Sequence, residues 1–367
     1  MNVGAIGVVE GFTRSRTVAS GAARHLGGFV GVVFGVVATG HAFGNGIGNE
    51  WFGRQGFFLS GVDLSARAFD SAPTTGAQLV LLLALSVLFV TLAMAALAER
   101  TTFVAHVVCG LLSGGLLVPL AKRSLAPEGI LGSISVGDST FVDSSAATIF
   151  SVAGWLGLLG ATVIGPRLGW IGSHGNVRVI PGKSPWLVSA GSLLFVAGST
   201  GLAAYPDPRW ADSVANAALS LVIGASAGAS TVAGLGIGRQ GEVTVSALSH
   251  GLLGGVVASS GALLGVSPLS ALLLGALGGI AVHFTSAALV QCKIDDPAAA
   301  VASFGAAGVV GSLGAQAFEP DQLLAQIVGQ LIVASWSIVV AGLIFGVLRG
   351  VRLLRISPDI EMVGLEG

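Results

Sequence analysis

Charge is what this chain has least of. Only 10% of its 367 residues are Asp, Glu, Lys or Arg, against about 25% in soluble globular proteins. Seventeen basic and eighteen acidic residues leave a formal net charge of -1, so a nucleic-acid partner has no electrostatic footprint. Cysteine is almost absent: Cys109 and Cys292 are the two. They form no metal or redox spacing and read as small apolar fillers. The six histidines include no pair at ligand spacing, which argues against a metal site. No nucleophile elbow, phosphate loop or supported acid pair appears. The glycine run Gly234 to Gly238 lacks the preceding strand that a nucleotide fingerprint needs. No enzyme motif is found, and no cofactor is expected.

What remains is apolar. Hydrophobic residues make up 53% of the chain and the mean hydropathy is +0.87, the signature of a polytopic membrane protein. Glycine, at 57 residues, suits helices packed closely through small faces. Runs of roughly 18 to 26 apolar residues cross about 30 Å of hydrocarbon. They predict ten spans near 18–43, 76–97, 102–120, 145–164, 186–204, 211–237, 245–264, 268–291, 298–318 and 323–348. Residues 1–12 are apolar too, but as a helix they reach only about 18 Å, a half-helix rather than a span. No basic segment precedes them, so they make a poor signal peptide.

One motif occurs twice. Asp143-Ser-Ser-Ala-Ala-Thr-Ile-Phe-Ser151 recurs in outline as Asp296-Pro-Ala-Ala-Ala-Val-Ala-Ser-Phe304. Five spans separate the copies, so they enter the bilayer from opposite faces. That is the trace of an inverted-topology repeat whose halves meet at a solute pathway near the midplane. The chain reads as a single membrane domain. Residues 1–164 and 186–318 are the half-repeats, 323–348 the last span and 349–367 a cytoplasmic tail.

Lysine and arginine set the orientation. With the N-terminus cytoplasmic, twelve lie inside: Arg14, Arg16, Arg24, Arg100, Arg167, Arg178, Lys183, Arg239, Lys293, Arg349, Arg352 and Arg355. Five lie outside: Arg54, Arg67, Lys122, Arg123 and Arg209. Both termini are therefore expected inside a plasma or inner membrane. Two long outer loops follow, about 44–75 and 121–144, the first carrying Trp51, Phe52, Phe57 and Phe58 as a membrane-interface belt or a vestibule rim.

Several signatures resemble those of the ammonium transporter (Amt/Mep/Rh) family. They are Ala96-Leu-Ala-Glu-Arg100, Gly165-Pro-Arg167, His250-Gly-Leu-Leu-Gly-Gly-Val-Val257, Ile294-Asp-Asp-Pro297 and the tail from Leu354 to Glu366. The resemblance covers nearly the whole chain. It implies an eleven-helix homotrimer with one pore per subunit, built from a five-plus-five inverted repeat and a last helix. It also implies where the chain departs. The family's motif copies each end in a histidine that lines the pore; here those positions are Ser151 and Phe304. The two gate phenylalanines fall near Leu81 and Leu202, and the outer Trp has no counterpart between Glu128 and Asp143. Gly11 to Thr17 resembles the end of the family's first helix, so most of that helix is expected to be missing. A half-helix with lipid behind it, a trimer neighbour, or a separate single-span partner helix would then occupy the gap.

The candidate site residues are Asp143, Ser151, Ser303, Phe304, Leu81, Leu202, His250 and His283. Asp143 is read as a helix N-cap, and by resemblance as electrostatic help for a cation. Asp295 and Asp296 are read as caps. Ser151 and Phe304 exchange two imidazoles for a hydroxyl and a phenyl ring, so the lumen has no ring nitrogen to replace a cation's water. The lumen is then plugged, passes a neutral molecule, or holds a ligand against the Ser151 hydroxyl. His250 and His283, at similar depth on adjacent spans, form either a relocated polar site or two separate packing histidines. The leading reading is a divergent channel or transporter for ammonia or another small uncharged solute. The alternatives are a transport-inactive binding, sensing or scaffolding subunit and a membrane enzyme reusing the lumen. The tail is a possible docking point for a cytoplasmic regulator.

Overall fold

Long apolar runs in hydrocarbon must satisfy every backbone N–H and C=O internally, which leaves the helix as their solution. The computed structural model describes the chain except residues 64–74, 127, 143–145, 204–213, 262–266, 315, 317–319 and 364–367. Helix α1 is Asn2–Phe12 and α2 is Val18–Gly35. The latter continues through a π turn, Val36–Gly40, into α3, His41–Asn45. Helix α4 is Thr75–Ala95. Helix α5, Phe103–Leu112, runs through a second π turn, Ser113–Leu117, into α6, Val118–Leu125. Then come α7 (Ala146–Ile164), α8 (Pro185–Ala203), α9 (Val214–Gln240), α10 (Val245–Ser259) and α11 (Pro268–Gln291). A third π turn, Val301–Ala306, leads into α12, Ala307–Gly314. Helices α13 (Pro320–Gly350) and α14 (Pro358–Val363) follow. A two-residue hairpin, Ser135–Val136 with Ser139–Thr140, precedes α7.

Among the described residues, seven helical segments are long and apolar enough to cross a membrane by length and composition. Three apolar ones are shorter: Asn2–Phe12, Val245–Ser259 and Val301–Gly314. Residues 1–12 thus do form a short helix. It lies along α8, where a methyl group on Gly4 would overlap the backbone of Gly191 and Phe195. Its inner end is tied down by Glu10, which accepts from Lys183 Nζ at 2.8 Å and faces His25 Nε2 at 3.4 Å. One buried apolar cluster runs through the bundle from Ala5 to Leu354.

Helix starts follow their capping residues. Thr102, Thr244 and Ser267 each accept a backbone N–H of the first turn, and Pro268 occupies the first position of α11. Asp296 does the same for the π turn, accepting from Ala300 N at 2.9 Å and Val301 N at 2.8 Å. Between them Ala299 sits at φ 48, left-handed and costly for a residue with a side chain.

The loop signatures meet in space. Arg167 donates to Asp295 from its backbone N at 2.9 Å, from Nε at 2.9 Å and from Nη2 at 3.0 Å. Its Nη1 reaches Glu99 at 3.2 Å. Arg100 lies 3.6 Å from the Asp295 carboxylate and donates to the carbonyls of Asp295 at 3.0 Å and Gly165 at 2.6 Å. Glu99, at φ 71, also takes the backbone N–H of Arg14 at 2.9 Å. The exits of α1, α4 and α7 and the entry to the Val301–Gly314 helix are thereby bolted together. Burial raises the pKa of Asp295, but the hydrogen bonds and charge of Arg167, with Arg100, outweigh it and hold the carboxyl below the usual range. Burial pulls Arg100 down to about 10 against the opposing pull of Asp295. The tail joins the hub: Glu361 accepts from Leu168 N at 2.7 Å and from Arg355 at 2.9 Å.

Candidate functional site

Ser151 and Phe304 come together at the centre of the bundle. Helix α7 crosses the π turn where Gly154 faces Gly305, and a side chain on Gly154 would overlap the Gly305 backbone. Gly308 likewise approaches the backbone of Ala147 and Ser151. Absent side chains at these positions let the helices touch main chain to main chain, the close approach small residues permit in lipid. The π turn widens the helix by one residue per bond and carries both Ser303 and Phe304. Ser151 lies on a regular α-helix, so the two copies of the motif differ in backbone as well as in side chain.

The centre is closed by three rings. Phe304 packs against Phe150 with centroids 6.1 Å apart and against Phe195 at 5.7 Å, while Phe150 and Phe195 are 6.4 Å apart. All three are buried. These separations fall within the range at which buried aromatic rings pack against one another. On one side of the rings lies a hollow of about 10 Å³, room for one water at most, lined by Leu85, Leu88, Phe89, Leu92 and other apolar groups.

The Ser151 hydroxyl is already engaged. It donates to Thr148 O at 2.7 Å and lies 3.4 Å from Gln330 Oε1. Gln330 Nε2 donates to Ser312 Oγ at 2.7 Å, and Gln326 Nε2 reaches the same oxygen at 2.9 Å. Gln326 also pairs with the backbone of Val142, and Gln322 donates to Thr140 O at 2.7 Å. These glutamines escaped the reading of the sequence. Their signal was present: Gln322, Gln326 and Gln330 recur every fourth residue of an apolar helix, which puts them on one stripe.

The other expected residues are dispersed. Leu81, half-buried on α4, stands one turn before Leu85 and outside the ring cluster. Leu202 is in the last turn of α8, its side chain beyond the description; the α8 ring at the centre is Phe195. Asp143 lies outside the described residues. Ser303 is buried, its Oγ 3.5 Å from His250 O. His250 stacks on Phe12 with centroids 4.8 Å apart, and His283 meets Phe284 edge-on at 5.4 Å.

A larger cavity opens near the hub. Its volume is about 180 Å³, and its polar lining is Arg167, Trp170, His250, Ser286, Asp295 and Asp296. His250 therefore shares it with Ser286, one turn beyond His283 on α11, while His283 is not on its wall. Burial pushes the Asp296 carboxyl up to about 6, against the backbone hydrogen bonds from Ala300 and Val301. Among the described residues no cluster of three metal-ligating side chains occurs.

Comparison with known proteins agrees with this architecture. The chain is 32% identical to ammonium transporter Amt1 of Haloferax mediterranei over 302 residues, covering 75% of this chain and 58% of that protein. Its fold matches the Sensor Amt Protein with a TM-score of 0.87 at 23% identity, covering 99% of this chain and 93% of that one. It matches Saccharomyces cerevisiae Mep2 with a TM-score of 0.80 at 18% identity, over 98% and 86% of the two chains. The matched region spans less than two thirds of the length of the Haloferax relative. The model of the Ammonium Transporter Family matches residues 1–367, so the chain is an integral, multi-pass membrane protein that belongs to the ammonium transporter family.

Proposed function

We propose that the chain is an Amt/Rh-type channel that passes ammonia or a comparably small neutral solute and excludes the ammonium ion. One observation carries this reading: the Phe304–Phe150–Phe195 cluster fills the level where the two motif copies meet. A cation there would have to shed its water among apolar rings, a desolvation that side chains do not compensate. The hydroxyl at that level is tied to Thr148 and Gln330. A neutral molecule loses only a few hydrogen bonds, and in this reading it passes when the Phe304 ring turns aside. In this reading Ser151, Ser303 and Phe304 form the constriction and Leu81 and Leu202 stand toward its outer end. Asp143 keeps the role of an acidic residue that precedes α7 in the sequence, and His250 and His283 are proposed for the inner end of the path. The whole chain acts as one membrane domain, as a homotrimer in a plasma or inner membrane with both termini cytoplasmic.

Uptake of radiolabelled methylamine into proteoliposomes tests it. At a fixed total concentration, passage of the neutral amine makes the initial rate rise about tenfold per pH unit while the amine is mostly protonated, as its neutral fraction does. A rate independent of pH, above that of empty vesicles, shows transport of the cation and refutes the proposal.

A second reading has its own support. The main-chain contact of Gly154 with Gly305 holds α7 against the π turn beside the rings, and one protein of this fold is called the Sensor Amt Protein. Uptake no faster than in empty vesicles at any pH favours a transport-inactive binding or sensing subunit, with the tail of 349–367 as the docking point for a regulator.

A further inference from the structure

The junction of α3 with α6, at the far end of the bundle from the ion-pair hub, carries positive charge without a counter-charge. Gly44 lies against Pro119, where a side chain would press on the proline at 3.3 Å. That close approach sets α6 over α3, and Lys122 Nζ donates to Asn45 Oδ1 at 2.7 Å. The neighbouring Arg123 has a structural task. Its Nη1 and Nε donate to the carbonyls of Gly46 and Asn49, each at 2.8 Å, and a cation there complements the carbonyl end of the helix. Among the described residues Lys122 meets no main-chain carbonyl, and neither cation meets a carboxylate. A half-buried ammonium held only by an amide oxygen is poorly compensated.

Two more polar atoms beside it are unpaired. His41 and Asn45 stand four residues apart, on one face of α3. His41 is 6% exposed, and its Nδ1 is buried with no hydrogen-bond partner, as is Asn45 Nδ2. The charge of Lys122 is near enough to bear on the His41 ring. The group offers N–H donors from the amide and the ammonium, and one from the ring when Nδ1 carries its proton. Such donors call for an acceptor, and the uncompensated ammonium makes it an anion. Both unpaired atoms are closed to solvent, which suits a single compact ion rather than an oxyanion or a lipid headgroup.

We propose that Lys122, Asn45 and His41 bind a halide ion, chloride in ordinary media, which accepts from the Lys122 ammonium, Asn45 Nδ2 and His41 Nδ1 and so ties α6 to α3. The site shares no residue with the three-ring constriction. It exists whether or not the centre passes a solute, so halide binding and uptake can each fail alone.

Thermal melting of the purified full chain tests the site, with sodium chloride replacing sodium gluconate at constant ionic strength. Gluconate is too bulky for a single-ion site. The melting temperature is expected to rise with chloride and to saturate, by about 5 °C at one hundred times the half-saturating concentration, and bromide should reproduce the rise. Lys122→Met removes the response. Asn45→Asp keeps the shape of the side chain and supplies a carboxylate in place of the ion. It should melt above the wild type in gluconate and no longer respond to chloride. Because it adds a partner to Lys122 rather than removing one, it decides the matter even if Lys122→Met fails to fold. A wild-type midpoint independent of chloride, a rise that never saturates, or a full chloride response in Asn45→Asp would each overturn the proposal.

Discussion

Asp295→Asn is the sharpest perturbation of the hub, because the two side chains have the same shape and differ in charge. The carboxylate accepts three hydrogen bonds from Arg167 and faces Arg100 at 3.6 Å. An amide keeps one acceptor oxygen and turns an NH2 group toward a guanidinium, so at least one bond becomes a donor–donor clash. Arg100 and Arg167 are 0% and 5% exposed and Asp295 is 2% exposed, so water cannot take over. Removing one partner of such a buried pair costs about 3–5 kcal/mol. At about 2 °C per kcal/mol for a large domain, apparent melting falls by roughly 6–10 °C. The assay is thermal unfolding in detergent by tryptophan fluorescence at one fixed scan rate, since unfolding of such proteins is commonly irreversible. Glu361→Gln is the control: its partner Arg355 is 32% exposed, so the drop is smaller. An Asp295→Asn protein that melts with the wild type would refute the hub as the bolt between the half-repeats.

Four further outcomes follow from the same geometry. Phe304→Ala removes the central ring, lowers stability by about 3–5 kcal/mol as a large-to-small core change, and speeds methylamine uptake at constant pH. Ser151→His with Phe304→His returns the family's imidazole pair and makes uptake less dependent on pH if the rest of the lumen is intact; unchanged pH dependence in the folded double variant counts against the assigned constriction. The two hub carboxyls act in opposite directions with pH: the lowered pKa of Asp295 gives stability that is present above the ordinary carboxylate range and lost as pH falls below it, whereas Asp296, raised to about 6, takes protons more readily when folded and so lowers stability as pH climbs from that ordinary range to about 6. Melting curves of Asp296→Asn against pH should lack that second slope. Cys292 is exposed and Cys109 buried, so a membrane-impermeant maleimide labels Cys292 only from the cytoplasmic face; labelling from outside intact cells contradicts the proposed orientation.

Much of the architecture was legible because hydrocarbon leaves apolar runs few options. The ranges predicted for α7, α9 and α11 fall within a few residues of the helices, since each is bounded by glycine, proline or charge. The loop signatures were also readable, and their meeting at Asp295, Arg167, Glu99 and Arg100 gives them a physical reason. The centre was harder. The second gate is placed near Leu202 by resemblance, whereas the α8 ring packed at the centre is Phe195, seven residues earlier, about two turns and 10 Å of helix. The π turn at Val301–Ala306 has no residue signature, yet it decides which way Phe304 points. His283 was paired with His250 by depth alone, and depth cannot resolve which residue of a turn faces inward; Ser286 does. The glutamine stripe on α13 was visible as a period of four, but the apolar content of that helix concealed it.

The central claim is that nitrogen crosses without its charge. Purified protein in proteoliposomes, given an ammonium gradient, allows both quantities to be measured on one preparation: current across a supported membrane and alkalinisation of the vesicle interior. The account predicts alkalinisation faster than in empty vesicles with no ammonium-dependent current, a charge-to-nitrogen ratio near zero. A ratio near one, with current that saturates in ammonium and vanishes in an inactive control, would contradict it.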